Sequence, residues 1–468
     1  MLRALCGETF VSLEMNMKNR LIRTGLILAL AACALAVSAD AVTVPKVAFT
    51  DTRLTNGLRV IMSEDHAAPV VSLSIVYDVG SRNERKGRTG FAHLFEHMMF
   101  KGSENVGDGE LASLIENYGG DHNGSTDKEH TIYFERVPSN QLDMILFLEA
   151  DRMRSLDKTI TKEKLDNQRA AVQEERRFRM DNQPYGKVGE VFDELAFENF
   201  AYEHSVIGSM DDLSAATVED VAAFFRTYYA PNNAVLALVG DFDAKVALEK
   251  VRKYFESVPP GPVPPAVDAT EPPQKEERRR TIEDPLARLS LIVAGYHTPA
   301  GLTPDVDALT ALGSILGSGR SGRLYESLVR QQQIAVQVYA IGLASRGPGM
   351  FELQAVVAPG QPVDKVAAAM YAEVEKIKTG KIEEWEMEKA RNGALRRLVD
   401  SLRSSLQRTQ LLSRYAVFYN DPGLINTRYE RIAAVRAEDV QRVARQYLTP
   451  TNRTVLTTLP AKNAGAAQ

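Results

Sequence analysis

Cysteine is nearly missing from this chain. Its 468 residues include two, Cys6 and Cys33, and both precede the part expected to fold. Neither disulfides nor a thiolate metal site can therefore hold the mature protein together. Positive charge is short as well: 56 Lys and Arg stand against 61 Asp and Glu, a net charge of −5, which leaves no basic face for nucleic acid. No stretch beyond the N-terminus approaches the ~18 apolar residues that a membrane span needs. Histidine is scarce, with seven in all. What remains, 44% hydrophobic and 25% charged, describes an ordinary globular protein long enough for two or three domains.

Residues 1–39 have the form of an export signal. Lys18, Arg20 and Arg23 precede the apolar run Gly25–Ala32, and small residues lead to Val37-Ser38-Ala39. Leu30-Ala31-Ala32-Cys33 also has the form of a lipobox, which would make Cys33 a lipid anchor. The apolar residues after Cys33 favour soluble export over that anchor.

Two of the seven histidines fall in Gly90-Phe91-Ala92-His93-Leu94-Phe95-Glu96-His97-Met98-Met99-Phe100, which contains H-x-x-E-H. On a helix His93 and His97 project from one face, close enough for both imidazoles to meet one metal ion. Glu96 follows on nearly the same face, where it reaches a metal-bound water without ligating the metal. Zinc brings the pKa of such a water to roughly 7, and a neighbouring carboxylate can take its proton. The apolar neighbours predict a buried helix, and a cation is the natural compensation for burying His, Glu and His together. The other histidines, His66, His122, His130, His204 and His297, lack a helical partner at metal spacing. All but His122 read as structural. Glu149, Asp151 and Arg152 on one helix read as a structural ion pair.

The chain also repeats itself. Glu219-Asp220-Val221 recurs as Glu438-Asp439-Val440, and Tyr228, Pro231 and Asn233 recur as Tyr447, Pro450 and Asn452, every pair at the same offset of 219 in the numbering. Six matches at one offset indicate duplication. The same offset carries the motif onto Thr310–Gly319, with Leu312, Ile315 and Leu316 in place of His93, Glu96 and His97. Residues 259–273 hold seven of the 21 prolines, ahead of the charged run Lys275–Arg280. The expected organisation is a catalytic domain over 40–258, a linker over 259–280, an inert domain over 281–460 and a tail over 461–468. Predicted strands (Ser72–Val76, Thr131–Glu135, Ala234–Val239, Leu289–Ala294, Met350–Val357, Thr454–Leu456) mix with predicted helices (Gln141–Arg154, Lys162–Met180, Val218–Tyr228, Glu383–Leu406). This is an α+β pattern, each half a sheet packed by helices.

With these residues in view, the chain resembles the inverzincin metallopeptidases of the pitrilysin, insulin-degrading enzyme and mitochondrial processing peptidase family. The resemblance rests on Gly90–Gly102, Gly119-Gly120-Asp121-His122-Asn123-Gly124-Ser125-Thr126, Tyr133-Phe134-Glu135, Glu174-Glu175-Arg176-Arg177, Tyr229–Gly240 and Ser318–Ala335. It implies two duplicated domains facing each other across a chamber, one zinc ion per chain, and hydrolysis of unfolded peptides or short polypeptides. The subgroup implied is bacterial, so the export signal points to the periplasm. The family's third zinc ligand is a glutamate on a second helix, well beyond the motif in sequence. Glu174 and Glu175 both fall at the family's distance from His97, and spacing alone does not choose between them. The family pattern, with Ala171, Val172 and Phe178 on the same helix face, selects Glu175 and leaves Glu174 as a solvated or supporting carboxylate. Asn123 and Thr126 match the positions that contact peptide along an edge strand.

Two departures from the family follow. A supporting glutamate two helical turns before the third ligand is Gln168 here. The arginine and tyrosine that the inert half often lends to the site fall on Val329 and Val336, with Arg330 and Tyr339 nearby but out of register. A homologous zinc-less partner chain, or a second copy, would then complete the site. The competing expectation is a non-catalytic subunit that keeps the fold to bind peptide or to assemble.

Overall fold

The computed structural model describes residues 44–461, so the expected signal over 1–39, Cys33 and residues 462–468 lie outside the described part. From Val47 onward the chain forms one compact unit built from two sheets. The first comprises β1 (Thr50–Arg53), β2 (Arg59–Glu64), β3 (Val70–Tyr77), β4 (Asp121–Thr126), β5 (Thr131–Pro138) and β6 (Ala234–Gly240), in the order β1-β2-β6-β3-β5-β4. The second comprises β7 (Arg278–Asp284), β8 (Leu291–Thr298), β9 (Ala335–Leu343), β10 (Gly349–Val357) and β11 (Arg453–Pro460), in the order β7-β11-β8-β10-β9. Apart from β1 the two orders are the same. In each sheet one pair is parallel, β2 with β6 and β7 with β11. Arg59 of β2 and Arg278 of β7 stand at the offset already seen in the sequence, as do Val235 of β6 and Thr454 of β11, their respective partners.

The repeated residues do the same work in both halves. Asn233 Nδ2 donates to the carbonyls of Tyr228 and Asp78, and Asn452 Nδ2 donates to those of Tyr447 and His297. Each asparagine ties the end of a helix, Val218–Tyr228 or Ala437–Tyr447, to a neighbouring strand of its sheet. That shared duty explains why these side chains persist through the duplication.

Each half also covers the other. The helix Val188–Ala196 belongs to the first half, yet Val188, Phe192 and Ala196 pack on Leu291, Val293, Met350 and Leu456 of the second sheet. The helix Ser405–Tyr419 belongs to the second half, and Leu412 and Ala416 pack on Ile61, Val235, Ala237 and Val239 of the first. The repeat offset carries the first helix into the second, so the exchange is reciprocal.

Several expectations need adjusting. The predicted helix Glu383–Leu406 is two, Glu384–Arg403 and Ser405–Tyr419, because the Ser404 hydroxyl accepts from Gln407 N and starts a new helix. The helix from Lys162 is regular to Arg176 and widens into π-type turns over Arg177–Asp181. The segment expected as linker ends at β7, which begins at Arg278, and it is strapped down. Asn199 Nδ2 donates to the carbonyls of Asp268 and Thr270, and Glu271 accepts from the Glu198 and Asn199 amides. Leu312, Ile315 and Leu316 are fully buried in the second core. The face of that helix turned to β9 carries Gly313 and Gly317 instead, so the helix has slipped relative to the repeat offset. No described helix is long and apolar enough to cross a membrane.

Candidate metal centre

The motif forms the helix Phe91–Met98. It begins at Gly90, whose φ of 84° is left-handed and whose missing Cβ would meet the Ile207 carbonyl oxygen at 2.5 Å. No local side chain caps it. Glu84 does so from outside, accepting from Gly90 N at 2.9 Å and Ala92 N at 2.7 Å. A carboxylate there complements the helix dipole. His204 Nε2 lies 3.0 Å from Glu84 and fixes it in turn. Neither residue was singled out for this role from sequence. The available signal was an acidic residue shortly before a glycine that opens an uncapped helix. Phe91, Ala92, Leu94, Phe95 and Met98 are buried, as the pattern predicted, and this anchoring leaves the opposite face to the polar residues.

His93, His97 and Glu175 converge: one donor atom from each lies within 4.8 Å of the others. Glu175 Oε2 stands 3.3 Å from His97 Nε2 and 3.8 Å from His93 Nε2. Its second oxygen, Oε1, accepts from Arg179 at 2.9 Å. Glu174 points away, 70% exposed, and pairs with Arg177. Phe178, expected beside Glu175, is exposed instead, since the wider turns there carry it outward. The helix Lys162–Arg176 is held in place by Arg176, which donates to the Gly208 carbonyl and pairs with Glu190. Gln168 lies beside His97 and favours its protonated form.

Burial drives the His93 pKa down to about 3, with the nearby His97 and Arg179 adding to the effect, so the ring is neutral and its lone pair is free. His97 is lowered as well, again chiefly by burial. His93 Nδ1 is buried without a hydrogen-bond partner. Two neutral imidazoles and a carboxylate within reach of one point form the donor set of a zinc site with one open position. The residues present therefore fit the ion, and no second such group occurs among the described residues.

Glu96 is held apart from this cluster. Thr126 Oγ1 donates to its Oε2 at 2.5 Å. Burial raises its carboxyl to about 7, the Thr126 bond opposing that shift. Thr126, expected to touch peptide, thus spends its hydroxyl on Glu96. Asn123 is exposed on β4 and its side chain accepts from Gly124 N. Asn123 and Thr126 do lie on an edge strand of the sheet, β4. Its Asp, Asn and Gly residues hid it from a pattern reading.

The remaining candidates scatter. Arg330 is 73% exposed and pairs with Glu326, while Val336 and Tyr339 are exposed on β9. Val329 packs against the second core. His66 lies beside Asp241, His130 beside Asp127 and His204 beside Glu84. His297 Nε2 and both nitrogens of His122 are buried without partners, so these two are not satisfied as structural histidines usually are. Arg152 pairs with Glu149, as expected, and also with Glu135, whereas Asp151 accepts from Ser103 and Asn105. A cavity of about 410 Å³ lies where the halves meet, lined by Lys128, Asp193, Phe197, Met350 and Phe418 among others. Neither the three converging donors nor Glu96 line it. Among the described residues, metal donors converge only at the His–His–Glu cluster.

A duplicated two-sheet fold with one such cluster and a separately held glutamate defines a metallopeptidase-like protein. Residues 59–209 match the family model described as insulinase (peptidase family M16), and residues 215–394 match the M16 inactive domain. The chain belongs to this peptidase family. It is 31% identical over 407 residues to a zinc protease, PqqE, of Helicobacter pylori, spanning 86% of this chain and 91% of that one. A crystal structure of a protease from the same organism matches with a TM-score of 0.84 at 30% identity, over 89% of this chain and all of the other. The first half of the periplasmic protease PqqL from Escherichia coli shares the fold, with a TM-score of 0.72 at 18% identity over 90% of this chain and 94% of that one.

Proposed function

We propose that this chain is a zinc-dependent endopeptidase acting on unfolded peptides, with His93, His97 and Glu175 as metal ligands and Glu96 as the general base. The observation that carries this reading is the convergence of those three donors while Glu96 is withheld by Thr126. Zinc bound there would lower the pKa of water and polarise the scissile carbonyl. Glu96 would accept the proton of the attacking water and return it to the leaving amine. The outer edge of β4 is unpaired among the described residues, and a substrate would add to it as a further strand, so main-chain bonds give affinity with little demand on sequence. Asn123 is exposed there, where a peptide would lie.

The valines at 329 and 336 support a split site, in which a zinc-less homologous chain or a second copy brings the missing arginine and tyrosine. The basic residues and apolar run ahead of Ala39 support export to the bacterial periplasm.

The test is cleavage of a quenched, unstructured peptide by the mature chain, alone and after co-purification with its partner, with Glu96→Gln as the blank. Zinc-dependent cleavage that Glu96→Gln abolishes is expected, and its appearance only with the partner would establish the split site. A folded chain that binds no zinc, or no cleavage in either preparation, overturns the reading in favour of a non-catalytic peptide-binding subunit.

A further inference from the structure

Behind the motif helix lies a layer of charge inside an otherwise apolar core. Arg152 is 1% exposed, Glu149 1% and Glu135 2%. Arg152 Nε donates to Glu149 at 2.9 Å and its Nη2 to Glu135 at 3.2 Å. Its guanidinium also sits 4.5 Å from the centre of the Tyr133 ring and 5.5 Å from that of Phe100. One side chain therefore touches three elements: its own helix Leu142–Thr159, strand β5, and the end of the motif segment.

This layer is a poor device for stability. Arg152 Nη1 and Glu135 Oε2 have no hydrogen-bond partner among the described residues. A buried ion pair commonly gives no more than well-packed apolar residues of the same size would. The second half shows the apolar alternative. In the first sheet Leu73 stands opposite both Leu238 and Glu135. In the second, Ile292 and Thr457 are the counterparts of Leu73 and Leu238 at the repeat offset, and Ile292 stands opposite both Thr457 and Ala355. The register thus sets Leu353 and Ala355 where Tyr133 and Glu135 are, and the helix Val363–Thr379 packs there through Val366, Met370 and Val374. The half without metal ligands folds without the charged layer.

What the layer does in the first half follows from where it reaches. Tyr133 is directly opposite Gly124 on β4, and Thr131 opposite Thr126. A Cβ on Gly124 would lie 3.1 Å from Glu96 Cγ and 3.2 Å from Phe100 Cε2, so β4 rests on the motif helix with no room to spare. Arg152 holds Phe100 on one side of that contact and Tyr133 on the other.

We propose that Arg152, with Glu135 and Glu149, is a positioning residue that sets the gap between the motif helix and the β4–β5 hairpin, so that Thr126 reaches Glu96. The proposal rests on the peptidase reading for the role of Glu96, but the geometry is testable without it. Removing the arginine alone strands two buried carboxylates, so Arg152→Met is paired with the triple variant Glu135→Leu, Glu149→Leu, Arg152→Met, in which no charge is left unpaired. The measurements are zinc affinity, a crystal structure of each zinc-loaded variant, and peptide cleavage. The expected result is a folded triple variant with unchanged zinc affinity, a broken Thr126–Glu96 hydrogen bond, and kcat lowered about 10- to 100-fold at unchanged KM. A purely structural role would instead lower zinc affinity and folded fraction together. A folded triple variant that keeps the Thr126–Glu96 bond overturns the proposal whatever its activity. Wild-type protein that cleaves nothing speaks only against the peptidase reading, because the bond still decides this one.

Discussion

At the scale of single residues, the choice between Glu174 and Glu175 turns on about 100° of helix rotation. One step along the chain separates a carboxylate facing two imidazoles from one paired with Arg177 in solvent. Glu175→Gln is expected to lower zinc affinity by more than the ~10- to 100-fold that losing an outer hydrogen bond to a ligand costs. Glu174→Gln should leave affinity unchanged. Calorimetric titration of the zinc-stripped protein with zinc checks both, and equal effects at the two positions would remove Glu175 from its role. Spacing alone does not settle this choice, since two adjacent glutamates satisfy it equally well; the family pattern and the neighbours on the helix face select Glu175. His93, Glu96 and His97 needed no such help, because their positions within one helical turn fix a common face.

At the scale of elements, long apolar patterns were readable and contacts made at a distance were not. The helix Val218–Tyr228 and strand β6 follow from periodicity and a Pro-Asn turn that recurs in the second half. β4 is visible only through the family resemblance at Asn123 and Thr126, because an edge strand exposed on alternate residues needs no apolar run. The cap on the motif helix escaped because Glu84 reaches it through space. Ser405–Tyr419 escaped because its apolar partners belong to the other sheet, and no local pattern announces that. Its packing can be measured. Leu412 is fully buried against Ile61, Val235 and Val239. Leu412→Ala should cost about 2–5 kcal/mol of stability, read as a lower Tm or denaturant midpoint, with zinc affinity unchanged in the protein that remains folded. A loss below about 1 kcal/mol would mean that this helix covers the first sheet without holding it.

At the scale of the whole molecule, duplication and exchange together decide what can fold alone. A half that kept its own helices would be a self-sufficient domain. Here each half gives up a helix to the other, so the first half by itself would expose the sheet face formed by Ile61, Val235, Ala237 and Val239. A contiguous apolar face of that kind drives aggregation. The latch between halves adds polar contacts that neither can make alone: Glu129 accepts from the Arg346 and Gly347 amides, and Arg346 pairs with Asp78. Val263, 88% exposed in the connecting segment, marks a place where the chain can be cut without touching either face. Mature chain ending at Val263 should be insoluble when expressed alone. Co-expressed with the remainder from Pro264, it should give a soluble one-to-one complex that binds a single zinc ion, measured by size-exclusion chromatography and metal analysis. A soluble, monomeric first half would mean that the exchanged helix is an ornament of the fold. Recovery only on co-expression would mean that the half without the donor cluster survives in this chain because the first half cannot close its own core.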